Sequence, residues 1–452
     1  MTQAVHEVHL DNGFHALLVA RRTLPVVASI LWYGVGSRDE TDSETGLSHF
    51  LEHMMFKGTD KYKKGEIDLL TGRMGGSNNA FTDNDVTAYY FSLAADRWET
   101  ALEIEASRMR GCLLDDEEFA AEKQVVLEEL SMGEDDPWGS LYQATESLIF
   151  QVHPYHHPVI GWRGDLERLP VATMRDYYQR NYGPDRGFLV VLGDIDMART
   201  ESRVRELFGP IEPTGQSRRE VLAEPPARGE RRCVIRFPGQ ITRMAAGFRT
   251  CRMGEDDDFV LDVLSTVLGA GKSSRLYKRL VLEEELVTDV CVMNETRKDP
   301  GVFWVTTELR EDAEPARVEA VLKEEIDKII HKGFTATELK RARAQLRSSF
   351  LFENETVLDA AMKIGRFQAM SAKGYRQLAE VPGVFDTVTN PRLKAAAARY
   401  FEVDAWNVAW SLPRDGVDGK AKKSKAKKSK KSGTKKSGTK KGKKKTKRAG
   451  KG

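Results

Sequence analysis

The pattern of apolar and polar positions alternates between short β-like runs and longer amphipathic ones. Runs rich in β-forming residues predict strands at 6–10, 14–20, 26–32 and 86–93, the last after an irregular polar stretch that begins at Asn78. Longer segments with helical spacing predict helices at 64–74, 96–109 and 115–133. The first part of the chain therefore mixes strands and helices.

The same alternation restarts near residue 230, after a stretch rich in Pro, Gly, Glu and Arg, and it predicts helices at 314–332 and 336–371. A weak internal repeat links the two parts, since a helix ending near Tyr182 precedes a strand at 187–193, and one ending near Phe401 precedes a strand at 406–412. These observations predict an α+β protein with two similar halves. We place the domains at 1–212 and 229–414, with a linker at 213–228.

The last segment, residues 415–452, is strongly basic and differs from the rest of the chain. From Gly419 onward it carries 17 Lys, one Arg and no acidic residue. The chain before Gly419 contains 52 basic and 68 acidic residues, so its net charge is about −16. Such a segment cannot bury a core, so we expect a disordered tail. It would serve either to bind nucleic acid or another anionic partner, or only to keep the protein soluble.

Composition and cysteine usage indicate an ordinary globular protein from a reducing compartment. The four cysteines are scattered without a CxxC spacing, which argues against disulfides and against a thiolate zinc site. The first ten residues lack the features of a secretory signal, and no apolar run is long enough to span a membrane. A cytoplasmic location is therefore expected.

The stretch Gly46–Gly58 carries the chemistry that stands out most. His49, Glu52 and His53 stand at i, i+3 and i+4, so a helix would place them on one face. Two imidazoles so placed can hold one Zn²⁺, with a carboxylate aimed at the same point. The alternative is a buried helix whose histidines simply satisfy their hydrogen bonds in the core.

A later predicted helix offers two more carboxylates. Glu122 and Glu129 are seven residues apart and share a face, with Val125 and Val126 between them facing or flanking the core. A carboxylate on an apolar face needs a partner. The alternative is a solvated acidic face, which is common on Glu-rich helices.

Taken together, these motifs resemble the pitrilysin, insulysin and mitochondrial processing peptidase family. The resemblance rests on His49-Phe-Leu-Glu-His53, Asn79-Ala-Phe-Thr82, Glu129 and the loop 269–276, in that order. It implies two homologous α/β-sandwich halves, each with a mixed, largely antiparallel sheet flanked by helices. The size is similar to that of the subfamily that assembles from two separate chains.

The resemblance also implies roles for individual residues. His49, His53 and Glu129 would be the ligands of one Zn²⁺, with a fourth position left for water. Glu52 would be the general base that activates this water for peptide hydrolysis. Glu122 would orient a zinc histidine. The segment formed by Asn79, Ala80 and Phe81 would bind the substrate backbone by strand addition.

One departure from the family pattern concerns the second half. Members with a complete site carry an Arg and a Tyr seven residues apart after the Ser-Ser-Arg-Leu loop, where this chain has Val281 and Thr288. Neither residue can donate a hydrogen bond in the required place. The expectation is a heterodimer in which a homologous chain supplies both groups.

The sequence thus predicts a zinc metalloendopeptidase that cleaves peptides or unfolded polypeptides in a chamber between two chains. Two alternatives stay open: a noncatalytic scaffold member of the same family, and a protein whose tail directs nucleic-acid binding.

Overall fold

The structure is a computed structural model that describes residues 4–414, so the prediction of a disordered tail concerns residues outside the described part. Within this range no helix combines the length and hydropathy needed to cross a bilayer.

Strands of the first half build a mixed sheet with the order β1-β2-β6-β3-β5-β4. The pair β2 and β6 is parallel and the remaining pairs are antiparallel. The strands are β1 His6–His9, β2 His15–Ala20, β3 Val26–Tyr33, β4 Ser77–Thr82, β5 Thr87–Ala94 and β6 Gly187–Gly193. The helices are α1 Leu47–Met54, α2 Glu66–Arg73, α3 Glu99–Gly111, α4 Asp116–Glu134, α5 Pro137–Ile149, α6 Arg163–Arg168, α7 Val171–Asn181 and α8 Met197–Phe208.

The second half repeats this plan with the sheet order β7-β11-β8-β10-β9. Again one pair, β7 and β11, is parallel and the others are antiparallel. The strands are β7 Arg231–Phe237, β8 Arg243–Arg249, β9 Val287–Glu295, β10 Val302–Leu309 and β11 Asn407–Pro413. The helices are α9 Asp256–Gly269, α10 Pro315–Lys332, α11 Ala336–Phe352, α12 Val357–Met370, α13 Val381–Thr387 and α14 Asn390–Tyr400.

The two halves are homologous in topology, as predicted. Strands β6 and β11 are the last strands of their halves, and each follows a helix. Each pairs in parallel with an early strand of its half, β6 with β2 and β11 with β7. The mixed, largely antiparallel sheets flanked by helices confirm the predicted fold class.

Each sheet is covered on one side by helices of its own half and on the other by a helix of the opposite half. Helix α12 packs against β3 and β6, where Val357 and Ala361 join a core with Ile30 and Trp32. Conversely, α5 packs against β7, β8 and β11. The sequence had not predicted this exchange, because amphipathicity shows which face of a helix is buried but not against what. The boundaries at 212 and 229 stay a prediction.

Local differences from the predicted elements are few. The polar stretch before residue 86, expected to be irregular, contains the regular strand β4, which pairs with β5 from Ser77–Ser92 to Thr82–Thr87. The helical region 336–371 is interrupted at residues 353–356, between α11 and α12. Val125, expected near the core, is 47 % exposed, whereas Val126 is buried.

Candidate metal centre

Helix α1 is fixed at its beginning by a glycine and a buried carboxylate. Gly46 precedes the helix with φ of 89°, and a Cβ there would lie 2.3 Å from the Ile160 carbonyl oxygen, so only glycine fits. The Glu40 carboxylate accepts hydrogen bonds from Gly46 N and Ser48 N, each at 2.7 Å. Burial raises the pKa of Glu40 to about 8, and the two hydrogen bonds act in the opposite direction because they favour the ionised form. The apolar face of α1, with Phe50, Leu51 and Met54, lies in the core.

On the opposite face, α1 meets α4 and brings the three predicted ligands together. The donor atoms of His49, His53 and Glu129 lie within 4.8 Å of one another. Nε2 of His49 is 3.6 Å from Glu129 Oε1, and Nε2 of His53 is 3.4 Å from Glu129 Oε2. The side chain of Glu129 is 48 % exposed, so this cluster is open toward solvent on the α4 side.

The donor set fits a zinc ion. Burial and the neighbouring His53 lower the pKa of His49 to about 4, so its ring is neutral and keeps a lone pair for a metal. Two imidazoles and one carboxylate form a common set for a catalytic zinc, with a position left for water.

Glu122 contacts the far side of one of these rings. Its Oε1 is 2.9 Å from His53 Nδ1, which directs Nε2 of that ring toward Glu129. Its other oxygen is paired with Lys57. Burial opposes ionisation, but the hydrogen bonds from Lys57 and His53 outweigh it and hold the pKa of Glu122 below its ordinary value. The solvated-face alternative therefore does not describe Glu122, which is 7 % exposed.

Glu52 lies on the same face of α1, next to the three donors. Burial raises the pKa of its carboxyl above the ordinary value, against the effect of a hydrogen bond from the Thr82 hydroxyl at 2.6 Å. A carboxylate with a raised pKa is suited to proton transfer near neutral pH.

The segment predicted to bind substrate forms the outermost strand of the first sheet. Asn79, Ala80 and Phe81 lie in β4, which among residues 4–414 pairs with β5 alone. Asn79 is exposed, and its Oδ1 accepts a hydrogen bond from Ala80 N at 2.9 Å. Helix α1 contacts β4, so this strand runs beside the metal cluster.

The second-half positions Val281 and Thr288 lie in different surroundings. Val281 is buried in the helical turn Tyr277–Glu283, and Thr288 is exposed on the edge strand β9. The nearby Arg279 is bound by carboxylates, at 2.5 Å to Glu284 and 2.8 Å to Glu324. Its guanidinium is therefore already engaged within the second half.

Sequence reasoning assigned no role to Glu40, Lys57 or Thr82. Thr82 was noticed as part of a matching motif, but its contact with Glu52 joins residues 30 positions apart. Glu40 precedes the helix by several residues, and no local pattern indicates that it turns back to the helix start. For Lys57 we find no signal in the sequence.

Comparison with family models agrees with this fold. The model described as "Insulinase (Peptidase family M16)" matches residues 16–161, and the one described as "Peptidase M16 inactive domain" matches residues 168–346. All of the candidate metal residues lie in the first match. The two matches together cover more than half of the chain, and the chain belongs to peptidase family M16.

Individual relatives lead to the same family. Zinc protease PqqE of Helicobacter pylori is 28% identical over 362 residues, which are 79% of this chain and 82% of that protein. The uncharacterized zinc protease YmxG of Bacillus subtilis is 27% identical over 399 residues, 87% of this chain and 95% of that protein.

Solved structures match over nearly the whole described chain. The crystal structure of a protease from Helicobacter pylori superposes with a TM-score of 0.87 at 25% identity, covering 91% of this chain and 100% of the other. A structure described as a peptidase M16 inactive domain, from Pseudomonas fluorescens, gives a TM-score of 0.82 at 18% identity, with coverage of 91% and 98%. The latter supports the fold alone.

Proposed function

We propose that this chain is a zinc-dependent metalloendopeptidase subunit that hydrolyses peptides or unfolded polypeptides. The observation that carries the proposal is the convergence of His49, His53 and Glu129 within 4.8 Å, beside Glu52. The zinc protease names of its relatives support the same activity.

In this proposal the metal ligands, the general base and the substrate-binding strand have separate roles. His49, His53 and Glu129 hold the ion, and Glu122 keeps the His53 ring in its orientation through Nδ1. When bound, zinc would supply a Lewis acid that polarises water and the scissile carbonyl. Glu52 accepts the proton of the attacking water and later gives it to the leaving amine. The free edge of β4 binds the peptide backbone as an added strand.

The proposal extends to a heterodimer with a homologous chain that supplies an Arg and a Tyr. It is supported by the apolar, buried Val281, the short Thr288, and an Arg279 that is already paired with Glu284 and Glu324. A reducing compartment and a cytoplasmic location both stay predictions from the sequence.

The test combines metal analysis with cleavage. Purified protein is expected to carry about one zinc per chain and, with a co-expressed homologue, to cleave an unfolded polypeptide. Glu129→Gln should lose zinc and cleavage, whereas Glu128→Gln, on the exposed neighbour, should keep both. Glu52→Gln should keep zinc and lose cleavage.

Different failures of this test point to different conclusions. A wild-type chain without zinc would contradict the proposal and favour the noncatalytic scaffold alternative. Full activity of the chain without a homologue would contradict only the heterodimer.

A further inference from the structure

The hydroxyl of Thr82 contacts the Glu52 carboxylate from the neighbouring strand. It donates a hydrogen bond to Oε2 at 2.6 Å, a short, charge-assisted geometry. Among residues 4–414 no other side chain hydrogen-bonds this carboxylate. One oxygen of Glu52 is thus engaged, and Oε1 is left for another partner.

We propose that Thr82 is a positioning residue for Glu52, holding one oxygen so that the other faces the attacking water. The inference rests on the proposed function, in which Glu52 is the base. It adds that the orientation of this base is set by the strand that is proposed to bind substrate.

The backbone around Thr82 is fixed independently of Glu52. Thr82 pairs with Thr87 of β5, and the next residue closes a turn through Asp83 N to Val86 O at 2.9 Å. The turn is held from a second side, since Ser37 N donates to Asp83 O at 3.2 Å and Arg38 N to Asn84 O at 2.9 Å. Because the fold already holds the strand end, the hydroxyl can act as an anchor.

A second layer of contacts stiffens the same turn. Asp85, fully buried, accepts a hydrogen bond from the Tyr155 hydroxyl at 2.6 Å and is 3.2 Å from an Arg38 nitrogen. Its other oxygen accepts from Lys298 N of the second half at 2.9 Å. Thr82, which holds Glu52, therefore lies next to a turn that takes part in the contact between the two halves.

The contact leaves the three metal donors untouched. His49 and His53 lie on α1 and Glu129 on α4, and the hydroxyl of Thr82 hydrogen-bonds none of them. Removing this hydroxyl should therefore change the orientation of Glu52 without changing the donor set. This separates a positioning role from a general structural one.

The experiment compares Thr82→Val, which is nearly isosteric, with Thr82→Ser, which keeps the hydroxyl. Both are assayed for cleavage as the complex with the homologous chain. Thr82→Val is expected to lower kcat about 10- to 100-fold with KM within about twofold of wild type, because small displacements of a reacting group cost factors of this size. Thr82→Ser is expected to recover most of kcat.

Two readouts do not depend on activity. Zinc content of Thr82→Val should equal that of wild type. A crystal structure of the zinc-free variant should show the Glu52 carboxylate turned away from its wild-type position. The control is Thr87→Val, at the residue that pairs with Thr82 across the strands. The hydroxyl that this variant removes donates to Val35 O at 3.0 Å and not to Glu52. Its kcat should stay within about threefold of wild type.

The proposal is overturned if Thr82→Val keeps wild-type kcat, if Thr82→Ser is as impaired as Thr82→Val, or if Glu52 keeps its position in the variant. If wild type itself cleaves nothing, the proposed function fails, and the position of Glu52 in the variant structure still decides the inference.

Discussion

Two carboxylates of helix α4 decide which nitrogen of His53 is available. Glu122 takes Nδ1 at 2.9 Å, and Nε2 is then directed at Glu129, 3.4 Å away. A carboxylate behind a ligating histidine fixes the ring tautomer and raises its basicity. The charge on Glu122 is itself favoured by Lys57. The chemistry at the His53 ring therefore depends on α1, on α4 and on Lys57, which follows α1 in the chain.

Replacing Glu122 by Gln tests this arrangement. Gln keeps the shape but loses the charge that favours a proton on His53 Nδ1, so zinc affinity should fall about 10- to 100-fold. Competition with a chelator measures the affinity. Glu128→Gln on the same helix is the control, and equal affinities for the two variants would contradict the role given to Glu122.

A second residue-scale prediction concerns a carboxylate pair far from the metal cluster. Asp258 and Asp262 stand four residues apart on α9, and Asn294 Nδ2 donates to both at 2.9 Å. Burial, followed by the charge of Asp258, raises the pKa of Asp262 well above its ordinary value, and burial likewise raises that of Asp258.

The sign of the resulting pH dependence follows from proton binding. The folded state holds a proton more tightly than the unfolded state, so the free energy of unfolding falls as pH rises from the ordinary carboxyl range through the raised pKa. Asp262→Asn should flatten this fall between about pH 5 and about pH 9. Chemical denaturation across that range measures it. The control is Asp256→Asn, at the exposed start of α9, which should keep the steep fall of wild type. An equally steep fall in Asp262→Asn would refute the assignment.

At the scale of elements, the contact of α12 with the first sheet depends on one close approach. A Cβ on Gly365 would lie 2.1 Å from Trp32 Nε1, so the helix reaches the sheet only because this residue has no side chain. Interiors are packed too densely to accept such an overlap without movement.

Gly365→Ala should therefore destabilise the protein despite its better helix propensity. We expect a loss of about 1–3 kcal/mol in the free energy of unfolding, typical of overpacking. Gly383→Ala, in helix α13 with no heavy atom within 4 Å of the added Cβ, is the matched control and should be neutral or slightly stabilising. Urea denaturation compares the two, and a Gly365→Ala protein as stable as the control would disprove the packing argument.

For the whole molecule, the exchange of α5 and α12 makes each half depend on the other. The core between α12 and the first sheet, and that between α5 and the second sheet, both contain residues from the two sides of the linker. Removing one half would expose both apolar surfaces.

A chain of residues 1–212 expressed alone should therefore aggregate or lack a cooperative thermal transition. Co-expressed with residues 213–452 it should form a folded complex, since the buried contacts are then restored. Circular dichroism and size-exclusion chromatography distinguish these states. A sharp transition of the lone fragment would show that the first half folds independently.

Much of the fold and of the metal cluster could be read from the sequence, because both rest on local periodicity. Helical spacing is enough to place His49, Glu52 and His53 on one face, and Glu122 with Glu129 on another. The regular strand β4 was missed because its residues, Ser77–Thr82, are mostly polar and resemble a loop. The break between α11 and α12 was missed because both segments have helical spacing.

By itself, then, the sequence determined the elements, the two similar halves and the residue types able to hold a metal, since each follows from spacing along the chain. The meeting of α4 with α1 was implied by the family resemblance and by no local spacing. Only the tertiary structure decided that Thr82 hydrogen-bonds Glu52 and that one helix of each half packs on the sheet of the other. Those contacts join distant positions, and their choice depends on how whole surfaces pack, which no local pattern contains.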